Sequence, residues 1–597
     1  MSSATPPVIS CDPSEMAIDG ETDSWAAVHV HGTASAAAGI ARVTVDDLTV
    51  SLDSSGKFSA IVPASFGANA FHVVATDKLG AVGERYCPFI ASAQFQPEDT
   101  PSADSVTLAL GQNAVDDDVQ RPSSGPIKSL ADVIDAGTSA AELAEIVDAY
   151  LKTQPYTAGS GYYIGHGCEL AILCVDVYYQ PSIQKVKLSS ESIDLQLQAR
   201  GLRVLVGAQG LSLGIQSQGV VGLAASSGIA TVAKANAHAD YGVGASGGSL
   251  DATLTPGTFA STNEGVAVNV DNFLVDLAAQ IFPDLIDKIL DNVFQDLVSV
   301  VLDDILHAIT VDTLGVGITL PKLDGSGDLA VNLTGSFSSA DASSARLLAG
   351  VAPVFAVSGG TPHSLPSAGI AAQGDTIAPL DPPLGARSVG LGIHDEVANQ
   401  LMHKLWRNGY FQTALSPPAL TKLGVDVGKF EEGFTKYDMR IAAPLPPVVA
   451  VEAETKNLRV GLAGVRVLMT LPDETDPTPF EVEVFALLDA TPALAQGKIT
   501  IGDITTVSTN ATVVSMPGTY DPTTSSGLTD LATQVVKLLL VDVLGQSLIA
   551  VPIPQIKLPQ MIGPIKLPAP VTLGLLDPAL SETSDYLVVG ADLTQVP

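Results

Sequence analysis

The sequence predicts an α+β chain: a small β-sandwich followed by two similar halves, each running helix, sheet, helix and strand. Three observations predict it. Short apolar–polar alternations separated by turn residues fill the first 95 positions. The order helix, about 120 residues of strand-like sequence, helix and strand then occurs twice. Finally, hydrophobic residues make up 46% of the 597 positions and charged residues only 16%, with a mean hydropathy of +0.32 and no membrane-spanning run.

The sandwich is expected over residues 1–95. Its strands are carried by Val28 and Val30, Val43 and Val45, Val50 and Leu52, Phe58 and Ile61, and Phe71 and Val73. Turns are signalled by Asp19-Gly20, Ser55-Gly56, Gly67-Ala68-Asn69 and Gly80. Residues 96–127 are polar, with Pro97, Pro101, Pro122, Pro126 and the acidic run Asp116-Asp117-Asp118, and read as a linker with room for one strand at Val106 to Leu110. The three aspartates read as solvated rather than as a calcium loop.

The first half, 128–337, opens on a capping box, Ser139 with Glu142, which starts a helix bearing Leu143, Ile146, Val147 and Tyr150 on one face. Alternation over Val186 to Leu197 and Leu202 to Ile215 reads as strands. A long helix follows, with Leu285, Ile289, Val293, Leu297, Val301 and Ile305 recurring every four residues and Pro283 in its first turn. Residues 338–387, rich in Ser, Ala, Gly and Pro, read as a connector with a central strand at Val351 to Val357. The second half, 388–597, repeats the order. A helix from Ile393 to Asn408 places Ile393, Val397, Leu401 and Leu405 on one face and ends at Gly409. Strands follow over 437–517, then an amphipathic helix over 526–544 with Leu528, Leu531, Val535, Leu538 and Leu539, and a strand-like tail from Ile549.

Charge and motifs exclude several functions. A formal charge of −35, with no basic cluster, argues against nucleic acid and against a firm grip on anionic head groups. No Gly-x-Ser-x-Gly elbow and no phosphate-binding glycine loop occur, so no enzyme and no cofactor is expected. His29 and His31 share the outer face of one strand and read as solvated rather than as a metal pair. His394, Asp395 and Glu396 open a helix, where acids offset the exposed N–H groups; His403 and Trp406 read as packing residues. The four cysteines pair by domain, Cys11 with Cys87 and Cys168 with Cys174. Disulfides fit an oxidising compartment, and the chain is expected to be exported: periplasmic, at the cell surface or extracellular. Met1 to Pro7 carries no leader pattern.

Two resemblances follow from particular residues. Gly32-Thr33-Ala34 through Gly39-Ile40, Val43-Thr44-Val45, Gly56-Lys57-Phe58 and Ala75-Thr76-Asp77 resemble a bacterial immunoglobulin-like module. Val389-Gly390-Leu391-Gly392-Ile393-His394-Asp395-Glu396-Val397 through Leu405-Trp406 and Gly409 resemble the helix that opens the second half of tubular lipid-binding (TULIP) proteins of the bactericidal/permeability-increasing type. Met439 to Val449 is similar to the strand that follows it there. The second resemblance implies a boomerang-shaped pair of pseudo-symmetric barrels over about 103–597, each a twisted sheet around a long helix, with lipid held in apolar tunnels. Family members that bind lipopolysaccharide are basic at the tip of the first barrel; this chain is acidic throughout, which points to carriage rather than capture of anionic lipid.

A helix laid on a curved sheet leaves a groove, and apolar lining suits acyl chains or a sterol at roughly 0.8 kcal/mol per buried CH2. The candidate lining residues are Leu285, Ile289, Val293, Leu297, Val301, Ile305, Val397, Leu401, Leu405, Leu531, Val535 and Leu539. The expected partner is a hydrophobic lipid (phospholipid, fatty acid or sterol), with transient membrane contact during transfer. The rival readings are a surface adhesion or scaffold protein acting through the sandwich, and a secreted hydrolase.

Overall fold

The computed structural model describes residues 6–11, 14–18, 24–119, 125–153, 162–169, 173–179, 186–219, 226–270, 295, 302–307, 309, 316–374, 381–415, 438–452, 455, 457–470, 480–495, 498–515, 529–537, 551–552, 556–562, 565–583 and 585–596. Among the described residues strands dominate, with few helices and a curled half-barrel sheet.

Two sheets face each other at the N-terminus. One has the order Val8–Cys11, Val28–Ser35, Lys57–Val62. The other has the order Ser14–Ala17, Val82–Ser92, Gly67–Asp77, Ile40–Val45, Leu48–Val50. Alternation sends Val28, Val30, Val43, Val45, Phe58, Phe71 and Val73 into the shared core. The Cys11–Cys87 disulfide joins one sheet to the other. Gly67 and Asn69 begin the long Gly67–Asp77 strand instead of forming a turn, because Gly67 and Ala68 pair with Ala91 and Ile90.

An eight-stranded sheet holds the rest together. Its order is Val316–Pro321, Asp328–Ala342, Arg346–Ser358, Val106–Gly111, Val389–His394, Tyr586–Val596, Val571–Thr583, Ile556–Leu558. Four strands lie on either side of its middle, and from either edge inward each set gives three later strands in chain order and then the earliest strand of the set, with Met561–Ile562 and Ile565–Lys566 falling between the first two strands of the second set. The two opening strands pair in the middle, Leu108 opposite Leu391. Duplication is therefore written in the topology although the letters of the two halves differ.

Each half also has its own antiparallel sheet. In the first half, Ser190–Gln198, Gly201–Gly219 and Ser226–Ser246 pair in register, giving inward rows Leu197–Leu202–Tyr241, Leu195–Val204–Ala239 and Ile193–Val206–Ala237. Inward parity changes from Ala208 to Leu211 and from Ala235 to Val232. Gly210, at φ +63°, and Ala233 fall out of the ladder between them. The second half runs Gln412–Leu415, Asp438–Ala442, Asn457–Thr470, Phe480–Ala495, Lys498–Ser515, Val551–Pro552. Here one extra residue near Gly464, at φ +73°, bulges the ladder, so Leu458, Val460 and Leu462 give way to Val465, Val467 and Met469 on the same inward face.

The long central strands pass through both cores. Leu329 and Val331 lie in the second core while Phe337 and Ala342 of the same strand lie in the first. Likewise Leu587 packs in the second core and Leu593 in the first.

The segment 96–127 is not a mere linker. Val106–Gly111 is a middle strand of the central sheet, and a short helix, Gln112–Val115, follows it. Asp116 is buried, not solvated: its carboxylate accepts from the Leu195 N–H at 2.8 Å and the Asp118 N–H at 2.9 Å. Burial raises its carboxyl above the usual range against those bonds.

Candidate functional site

The sequence candidates divide between the two interiors. Leu285, Ile289, Val293, Leu297, Val301 and Leu539 lie outside the described residues. Ile305 is buried in the first core, on helical residues 302–307, beside Leu302, Leu306 and Ile309. Leu401, Leu405, Leu531 and Val535 are brought together in the second core, with Val397 half-buried against them. Helical periodicity missed the opposing wall in each half, which strand alternation carries: Leu202, Val204 and Val206 in the first, Val460, Val465 and Val482 in the second.

The first interior is lined by small side chains on one flank. Ala230, Ala235, Ala237 and Ala239 occupy inward positions of the 21-residue strand Ser226–Ser246. The same core takes in the helix Leu130–Gly137, capped by Ser129 accepting from the Asp132 N–H, with Leu302, Ile305, Leu306 and Ile309. The capping box at Ser139 forms: the Ser139 N–H donates to the Glu142 carboxylate at 2.9 Å, and the Glu142 N–H donates back to Ser139 Oγ at 3.3 Å.

The helix Asp395–Arg407 crosses the second interior and has two very different faces. Leu401, Leu405 and Trp406 pack on the apolar sheet, and the Trp406 indole N–H donates to the Ala443 carbonyl at 2.8 Å. The other face is polar yet buried. Asn399 exchanges two hydrogen bonds with the Val449 backbone, at 3.0 and 2.7 Å. Gln373 donates to Asp395 at 2.7 Å, and Gln96 donates to Glu396 at 2.9 Å. His394 caps the helix through Nδ1, which accepts from the Glu396 N–H at 3.1 Å. Burial disfavours its charge, but the hydrogen bond and charge of Asp395, with Glu396 and Asp585, outweigh this and raise the imidazole. Burial also raises the Glu396 carboxyl.

His403 is 1% exposed. Its Nε2 lies 3.0 Å from Ser367 Oγ and 3.8 Å from the Glu98 carboxylate, and burial pushes it down to about 4. Glu98 is paired with Arg407, and Asp99 with Lys404 at 2.7 Å. The helix is thus strapped down by the stretch 96–105.

The sandwich docks on the outer face of the second sheet. Ala68 and Ile90 meet Leu445, Val448, Ala463 and Phe485. Approach is close enough to require glycine: a Cβ at Gly461 would run into Ala68, and one at Gly464 would lie 2.7 Å from Pro88 Cγ. Arg85 bridges to the buried Glu483 at 2.6 Å, and the Tyr86 N–H donates to Thr512 Oγ1 at 3.1 Å.

His29 and His31 sit on the exposed side of their strand. Among the described residues no group of three or more His, Cys, Asp or Glu side chains is placed to hold a metal. Cys174 is disulfide-bonded, and the register sets Cys168 opposite it on the adjacent strand. No helix of the described residues is long and apolar enough to cross a membrane.

No protein-family model matches this chain, and no curated protein matches it. Among solved structures, a lipopolysaccharide binding protein aligns with 83% of this chain and 100% of its own, at 14% identity and a TM-score of 0.38. P47 of Clostridium botulinum E1 aligns with 83% of this chain and 99% of its own at 8% identity and a TM-score of 0.23. P47 from Clostridium botulinum A2 gives 81%, 96%, 8% and 0.23.

Proposed function

We propose that this chain is an exported lipid-binding and lipid-transfer protein that holds acyl chains or a sterol in its apolar interiors and performs no chemistry. One observation carries the reading. The inward positions from Ala230 to Tyr241 of a 21-residue strand are all apolar and include four alanines, a composition that favours a long flexible hydrocarbon over a polar substrate. Two acyl chains would contribute on the order of 20 kcal/mol of transfer free energy, much of it offset by ordering. No polar anchor is needed for such binding, which fits the lack of a catalytic motif. The net charge of −35 favours brief contact with membranes over lasting attachment to anionic ones.

The test is organic extraction and native mass spectrometry of the purified full chain. The expected result is co-purifying phospholipid, fatty acid or sterol, or stoichiometric uptake of a fluorescent fatty acid by delipidated protein. Protein that is lipid-free as isolated and takes up no such probe refutes the proposal.

A further inference from the structure

A cleft of about 640 Å³ opens on the sandwich, within the size range of small-molecule sites. We infer that it binds a short neutral oligosaccharide, a function separate from the apolar interiors.

Strand register builds the polar wall. Ser10 lies opposite Thr33, and Thr33 opposite Lys57, so three strands present one row. His31 and Ser59 pair in the next row on the same face. Ser10, His31, Lys57 and Ser59 are all exposed. Asp53 closes one side, and its position is fixed. Its Oδ1 accepts from the Ser55 N–H at 2.8 Å, the Ser55 hydroxyl at 2.7 Å and the Lys57 N–H at 2.9 Å. Those bonds, the Lys57 N–H first, hold the carboxyl below its usual range, so it stays an anion.

The apolar part of the lining is the half-buried Leu52. Phe58 packs in the sandwich core on the inner face of the sheet, against Gly32.

This lining selects its ligand. A fixed carboxylate accepts from vicinal hydroxyls, the Lys57 ammonium donates to ring or hydroxyl oxygens, and the Ser and Thr hydroxyls do either. Leu52 offers an apolar contact to the C–H face of a sugar ring. Asp53 repels phosphate, sulfate and sugar acids, and Lys57 beside it balances the charge, so a neutral glycan fits best.

The experiment uses the full chain on an array of neutral and anionic glycans, followed by calorimetric titration with the best neutral trisaccharide. Ser59→Trp fills the cleft from an exposed position, Lys57→Ala removes the donor, and Lys57→Arg restores the charge. Binding of a neutral glycan is expected, weakened about tenfold or more by Ser59→Trp and Lys57→Ala but held within about threefold by Lys57→Arg. Unchanged circular dichroism and unchanged lipid content separate this outcome from misfolding. The inference is overturned if no neutral glycan binds, if only anionic glycans or inorganic phosphate bind, or if Ser59→Trp leaves binding intact.

Discussion

His403 makes stability depend on pH in a window that can be worked out. Its imidazole titrates at 6.5 in an ordinary environment and at about 4 in the folded chain, with burial as the main cause. Glu98 opposes the shift; Arg407, Lys404 and His363 add to it. Below pH 6.5 the unfolded chain takes up a proton that the folded chain refuses until about pH 4. Stability is therefore complete above 6.5 and is lost as pH falls through that window. The whole gap is worth about 3 kcal/mol, and about 2 kcal/mol is already lost at pH 5. His403→Gln keeps a hydrogen-bonding amide toward Ser367, able to donate or accept, and removes the titration. Urea unfolding at pH 7.5 and 5.0 provides the assay. Fluorescence of Trp406 reports it locally, since its ring is 5.3 Å from the His403 ring and fully buried. The wild type should lose about 2 kcal/mol more than His403→Gln between the two pH values. If the two chains lose the same amount, burial of a neutral His403 is the wrong account.

Three other outcomes follow from the contacts. Glu483→Ala leaves the half-buried Arg85 without its carboxylate, with only the Ile9 carbonyl to accept from it, and should cost about 3 kcal/mol in chemical denaturation, whereas the double change Arg85→Met with Glu483→Leu should recover most of it. Gly461→Val overpacks the seam against Ala68; a loss of about 1–3 kcal/mol is expected, with faster proteolytic release of the sandwich. Residues 388–597 expressed alone should show no cooperative melt by calorimetry, because Leu320, Leu329, Val331 and Phe355 of their core lie outside that segment.

What the sequence made legible tracks how local each signal is. The Ser139–Glu142 box, the left-handed Gly409 and the alternation of Leu202, Val204 and Val206 are set by neighbours in the chain and could be read directly. Beyond Gly210 the inward parity slips, because the break depends on a backbone twist that alternation does not encode. On the Asp395–Arg407 helix, Leu401 and Leu405 were legible as an apolar stripe. Asp395 read only as an acid offsetting the helix start, and Asn399 and Gln400 carried no signal, yet all three are buried against distant partners: the Val449 backbone, Gln373 and Ser102. The stretch 96–105 read as linker for the same reason. It is held by ion pairs and hydroxyl bonds, which leave no trace in hydropathy.

Strands anchored in two cores make those cores one thermodynamic unit. Whatever stabilises the packing around Leu329 also steadies Phe337, a few residues along the same strand. A ligand bound in either interior therefore adds its linkage free energy, RT ln(1 + [L]/Kd), to the unfolding of both. Loading one half should raise the melting temperature of the whole interleaved body as a single transition, so occupancy of one end is registered at the other without any movement of one half against its twin.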